Sequence, residues 1–436
     1  TPIVFDGGAH TTGDDIVINS VGLEIDTLQH NFVDNNSGSF VATEGAQTQT
    51  TTYSNIEPIT DNVSAVNRIF SFTGGTETIT LDASGALDNR IDSTLGESVD
   101  FVNPTTSLTI LTTAGTGADT VNVQGLDANF DANLTITAET DDSVVFQTAT
   151  TDIDTGNLSV TAGTITGSGA AVIVGGTTTL TAGTGTINLN NAGNDFQGNV
   201  TVVSGGTTTI RDTNALTLAD SSTSGTTTLT AGTNLTLNNL NASGQTVSLT
   251  ATAGSIIDGN GGTNNLTATS LTASAATGID LDTTITTLAS ATTTGSGAIN
   301  ISDSAGGLNV TSVSSNDGTV TLNATGGNLT IGTSVSAGGN NNVLLTTTTS
   351  GNVILTGTTS AAANQVTITS AAGINGAGLV VASTIDLNAA SGIGNTTQLE
   401  LIGSTITADT TTGNVDIDNA LATATVYTSI STDTGS

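Results

Sequence analysis

The chain of 436 residues has no lysine, cysteine, methionine or tryptophan. Its only cations besides two histidines are Arg68, Arg90 and Arg211, set against 37 acidic residues, for a formal net charge of −34. Phosphate neutralisation needs Lys and Arg, so nucleic acid is excluded as a partner, and anionic membrane surfaces are disfavoured for the same reason. Without cysteine there is no disulfide framework, which fits an exported bacterial protein that does without one. No run of 18 apolar residues exists, so no membrane insertion is expected. The chain opens TPIVFDGG, without a basic start and apolar stretch, so an exported protein with this sequence is expected to be a mature or excised segment. Charged residues make up only 9%, which is not the charge-rich signature of disorder.

What remains is largely Thr, Gly, Ala, Asn, Ser, Val, Leu and Ile. Thr, Val and Ile are stiff at χ1 and pack well on pleated surfaces. No window sustains the 3.6-residue periodicity of an amphipathic helix. Composition changes near residue 150. Before it lie eight of the nine Phe, both His, all three Pro and, by count along the sequence, 21 of the 37 acids. The expected organisation is an irregular, acidic, aromatic-bearing β region over 1–150 and a repetitive β-solenoid over 151–436.

The repetition is direct. TTTLTAG occurs at 177–183 and again at 226–232, and VSLTATAGSI at 247–256 is a further copy. Setting Ile368 on Leu387, Gly373 on Gly392 and Ile374 on Ile393 gives one spacing, 19. Each unit is a short alternating strand, a small-residue corner and a second strand, with spacings near 19 to 22. Within units, Leu158 and Val160, Leu235 and Leu237, Val320 and Leu322, Val366 and Ile368, and Leu399 and Leu401 lie two apart, on one face of a strand. Strands this short bury that face only by coiling, each turn stacked on the last. With coils of about 20 residues rising ~4.8 Å, residues 151–436 make roughly 14 coils, and the whole chain a rod of about 100 Å. Gly at corners supplies positive φ, and Asn tolerates it and can stack in ladders. Open strand edges at the rod ends, near 1–18 and 426–430, are expected to pair with another copy head to tail.

Candidate chemistry is sparse. The three Arg are scattered and no Lys exists, which leaves no cationic base for a polysaccharide lyase. Asp152 with Asp154, and Asp280 with Asp282, could share a strand face as a glycosidase pair. Such pairs arise by chance in an acidic chain, and no aromatic platform for sugars follows Phe196 until Tyr427, so the expectation is no enzyme and no catalytic residue. His10 and His30 are too few for a zinc site without carboxylates and are expected to occupy ordinary loop positions. Thr-rich rows at 177–179, 207–209, 226–228 and 346–349 suggest a Thr-x-Thr surface that orders water, but their spacing drifts too much to expect a regular flat array.

The segments 5–18 and 113–123 carry Gly–Asp turns before an alternating strand and are similar to the glycine-aspartate nonapeptide of calcium-binding β-rolls. That resemblance implies Ca2+ at Asp14, Asp15, Asp119, Asp141 and Asp142. The motif is not iterated, so successive turns are not expected to supply the oxygen cage, and the same Asp residues serve as turn formers. No other cofactor is implied.

The stretch from 156 to about 430 resembles the repetitive body of filamentous-haemagglutinin-like large exoproteins, a resemblance carried by 177–237, especially GNDFQG and NALTL. YSNIEPI and GTGADTVNV in the first part are similar to repeat-bearing surface proteins of aquatic bacteria. The resemblance implies an all-β, right-handed parallel β-helix (β-solenoid), export to the cell surface, and a role in adhesion, matrix or filament formation. The reading is an extracellular structural rod assembling end to end. The alternatives are an adhesin segment that binds glycans or surfaces and, more remotely, a β-helix glycosidase.

Overall fold

The computed structural model describes residues 3–8, 14–20, 22–83 and 86–434; His10 lies outside them. Among the described residues there is no helix, and the chain is all-β, with parallel coils that form a β-solenoid. Two compact units divide it, residues 1–214 and 215–436. The compositional change near residue 150 lies within the first of them.

The first unit opens irregularly. The strand Ile25–Asp34 pairs antiparallel with Ser37–Glu44, which pairs antiparallel with Gln47–Ser54. A second antiparallel set joins Thr78–Asp82, Asn89–Ser93 and Val99–Phe101. Both sets are grafted onto parallel columns. Ile25–Asp34 lies beside Ala65–Phe72, and from there Ser107–Leu111, Asn133–Thr137, Leu158–Ala162, Thr178–Ala182 and Asn199–Ser204 follow in parallel register. The second column runs from Thr78–Asp82 through Thr120–Val123 and Ser143–Phe146 to Thr164–Thr166 and Ile187–Leu189. A short third column holds Thr151–Asp152, Val172–Val174 and Asp195–Phe196.

The second unit keeps the same plan. Val247 stands over Thr227, Leu271 over Val247 and Leu288 over Leu271. Ile368 pairs with Leu387, and Ile374 with Ile393, as the 19-residue repeat required. Coil length is less regular than expected. Leu271 to Leu288 is a step of 17 and Ser107 to Asn133 a step of 26. The corners absorb the difference, because a bulge or an extra turn residue there leaves the strand register intact.

The alternating pairs Leu158/Val160, Leu235/Leu237, Val320/Leu322, Val366/Ile368 and Leu399/Leu401 are all buried, so each unit encloses a thin aliphatic core. In the early coils aromatic rings fill it. Phe32 stacks on Phe72 with centroids 4.6 Å apart, and Phe70 tilts against Phe101 at 4.9 Å. At some corners the backbones pack so closely that a methyl group does not fit. A Cβ on Gly185 would run into the carbonyl oxygen of Gly163, and one on Gly327 into that of Gly306.

Candidate functional site

The parallel register brings three acids together at one corner. Thr120 pairs with Thr78 and with Ser143, so Glu77, Asp119 and Asp142 each immediately precede one of three stacked strands. Asp119 Oδ1 accepts the Glu77 N–H at 2.9 Å, and Asp142 Oδ1 accepts the Asp119 N–H at 2.7 Å. Asp142 Oδ2 accepts from the Glu139 N–H at 2.8 Å and the Thr112 hydroxyl at 2.6 Å. The Ser93 hydroxyl donates to Glu77. All three acids are buried. Burial pushes the Glu77 and Asp119 carboxyls up, and neighbouring carboxylates add to it.

The register places these acids coil on coil although their sequence spacing is uneven. The oxygens of Asp119 and Asp142, however, serve the backbone. They cap N–H groups that the corner would otherwise bury without acceptors. Asp141, beside them, is exposed, as is Asp15 in the strand Asp14–Asn19. Asp14 opens that strand; its side chain lies outside the described residues. Among the described residues no group of three or more His, Cys, Asp or Glu is placed to hold a metal ion.

His30 is no loop residue. It sits in the strand Ile25–Asp34, wholly buried, with its ring against Phe32, Phe40 and Phe70. Its Nε2 meets Asp61 Oδ2 at 2.9 Å, and Arg68, also wholly buried, pairs with the same carboxylate. The Val63 N–H donates to Asp61 Oδ1 at 2.9 Å, and Arg68 Nη2 donates to the Val63 carbonyl at 2.7 Å. Burial alone would raise the Asp61 carboxyl; the Arg68 charge and the His30 hydrogen bond outweigh it and hold the carboxyl below its usual value. The Arg68 guanidinium carbon also lies 5.4 Å from the Phe101 ring centre, within cation–π range. Nearby, the Tyr53 hydroxyl donates to Glu97 Oε2 at 3.1 Å. Burial pushes the Glu97 carboxyl up to about 7. Glu97 Oε1, His30 Nδ1 and Arg68 Nε have no hydrogen-bond partner among the described residues. The sequence carried no signal for this cluster, because Asp61 and Arg68 meet only through the fold.

The candidate acid pairs differ. Asp154 sits at a turn with φ of +47°, and Asp152 Oδ1 accepts its N–H at 3.0 Å, so this pair is a turn rather than two residues along a strand. Asp280 and Asp282 do share the outer face of the strand Gly278–Ser296. Asp280 accepts from the Asn300 side chain at 2.7 Å, and burial, then Asp258 and Asp280, push the Asp282 carboxyl up.

Asparagine ladders cap the corners. Asn133 Oδ1 accepts the Asn157 N–H at 2.9 Å, and Asn157 Oδ1 accepts the Thr177 N–H at 2.7 Å. Asn328 and Asn352 repeat this towards Gly373 at 2.8 and 2.9 Å.

A family model described as repeats of unknown function (DUF5649) matches residues 131–203, a stretch that spans several parallel coils of the first unit. No curated protein and no solved structure matches the chain. The matched repeats and the stacked coils together make this a repeat β-solenoid protein.

Proposed function

We propose that the chain is an extracellular structural protein, a β-solenoid scaffold that serves as subunit or stalk of a cell-surface filament or matrix. The observation that carries this reading is the coil-on-coil register, with buried aliphatic columns and asparagine and carboxylate ladders. Each coil is held by its neighbours, an arrangement suited to mechanical work. The resemblance to filamentous-haemagglutinin-like exoproteins supports the same reading, as does a composition without Lys or Cys. In this reading the chain performs no catalytic step.

Assembly is by end-to-end contact between copies. The strand Val426–Thr432 lies on Leu399–Thr410, with Tyr427 over Ile406 and Ile430 over Ala408. Ile406 and Ala408 are buried, whereas Tyr427 and Ile430 are 53% and 48% exposed. In this reading a strand of a second copy, added at the open edge, covers them. Electron microscopy and light scattering of the purified chain, in calcium and in EDTA, test it. Uniform fibres that Ile430→Glu shortens or abolishes support the proposal; a monodisperse monomer at high concentration overturns the polymer role. Fibres lost in EDTA would bring calcium back as the clamp.

A second reading, a glycan- or surface-binding adhesin segment, is favoured by a shallow groove of about 360 Å³ lined by Asn388, Asp409, Ser431 and Asp433 among others. Retention on a glycan array, lost in Asp409→Ala, would select it.

A further inference from the structure

Outward Ser and Thr residues form a regular lattice in the second unit, to which Thr228 of the Thr-rich row 226–228 belongs and the row 346–349 does not. In the second unit, six successive pairings join seven parallel strands from Thr227–Ala231 to Thr358–Ser370. Two columns of outward residues cross them. One runs from Thr228 through Ser290 to Thr358 and the other from Thr230 through Thr292 to Ser360; every rung of both is Ser or Thr. The sequence steps are uneven: Thr228 to Ser248 is 20 residues, Ser248 to Thr272 is 24 and Thr272 to Ser290 is 18. This drift lies in the corners and in register shifts before the rungs, between Ala242 and Thr246, Leu271 and Thr272, and Val310 and Ser312, and not in the register of the rungs.

Nearly all of these hydroxyls are half-buried, flush with the sheet. Neighbours tie some of them along the stack: Ser312 with Ser334, and Ser314 with Ser336, each at 3.3 Å. The residues between the columns, such as Leu229, Leu249 and Val313, are buried and lock the strand below. The face has a repeat of ~4.8 Å from coil to coil and about 6.6 Å along each strand. The rungs themselves, residues 228–230, 248–250, 272–274, 290–292, 312–314, 334–336 and 358–360, contain no Asp, Glu, Lys, Arg or aromatic residue, in a chain of net charge −34; Asp280, Asp282 and Asp317 lie on the same strands outside the rungs.

We propose that this hydroxyl lattice is an ice-binding face. The coil-to-coil repeat is close to the spacing of second-neighbour water oxygens in hexagonal ice. A rigid two-dimensional array of groups that donate and accept hydrogen bonds can therefore hold surface waters in ice-like positions. The absence of charge removes the ions and tightly bound hydration that would break such a layer. The absence of aromatic platforms argues against a crystalline polysaccharide as the occupant. The first unit carries a shorter version, in which Thr135, Ser159, Thr179 and Thr201 form one column.

The test is partition of the full chain into a slowly growing ice front, with ice recrystallisation and crystal shape read in parallel. The wild-type chain should enter the ice, shape crystals and suppress recrystallisation. Thr292→Tyr and Ser312→Tyr, which raise a bulky ring from the middle of the lattice, should sharply lower all three. Thr367→Tyr, on an outward position of another column, should leave them unchanged. Circular dichroism and melting verify that each variant is folded. Exclusion of the wild-type chain from ice overturns the proposal, as does undiminished activity of both lattice variants. Retention on chitin or cellulose without entry into ice overturns it in favour of a polysaccharide.

Discussion

Asp61 and Arg68 face each other as an ion pair with neither side chain in contact with water. They lie seven positions apart in sequence, on the consecutive strands Ile56–Asn62 and Ala65–Phe72. His30 completes the cluster from a third strand.

Removing one partner should be costly because it strands the other charge in the core. Arg68→Met is expected to destabilise the first unit by about 3–5 kcal/mol, and Asp61→Asn by a similar amount. The double variant should lose much less than the sum of the two. Urea unfolding of the three variants measures this; strict additivity would refute the coupling.

The acids impose opposite pH trends. Asp61 is held below its ordinary value of 3.8, so its contribution is complete above that pH and is lost as pH falls through the lower folded value. Glu97 is raised from 4.5 to about 7, so its protonated form favours folding below 4.5, and that contribution is lost as pH rises through about 7. Glu97→Gln should therefore stabilise the chain above pH 7 by on the order of 2 kcal/mol, after allowance for solvent screening, and have little effect at pH 4. Melting curves across this range check it. A variant that melts like the wild type at both ends would remove the basis for the trend.

Asp142 accepts from two backbone N–H groups and one hydroxyl. Asp142→Ala is expected to cost about 3 kcal/mol by leaving buried donors unpaired. The loss should be the same in calcium and in EDTA, because the carboxylate acts on the backbone. A loss seen only with calcium present would instead identify Asp142 as a metal ligand.

Some corner glycines have no room for a side chain. Gly327→Ala would press a methyl group against the Gly306 carbonyl and is expected to cost about 1–3 kcal/mol. Gly169→Ala, where a Cβ meets nothing, should be nearly neutral. Paired thermal melts decide it, and equal losses at both sites would count against close coil contact.

Much of this architecture is legible in the sequence. Period-two pairs such as Val366 and Ile368 mark the buried face, and the 19-residue offset gave the pairing of Ile368 with Leu387 directly. The antiparallel strands of the early coils were not legible, because alternation is the same in parallel and antiparallel sheets. The Asp61–Arg68–His30 cluster was invisible for another reason: burial of an ion pair depends on which strands become neighbours, and residue type alone argued for exposed positions. The acid corner and the hydroxyl lattice were missed because counting residues between Thr or Asp positions also counts the corners.

Those corners have an evolutionary consequence. Because strands stay in step while turns lengthen or shorten, insertions and deletions at turns leave every exposed column aligned. Such a chain can change its sequence period freely and keep a two-dimensional pattern fixed on its surface. Natural selection on that pattern would leave its trace in columns across coils and none in the linear spacing of the text.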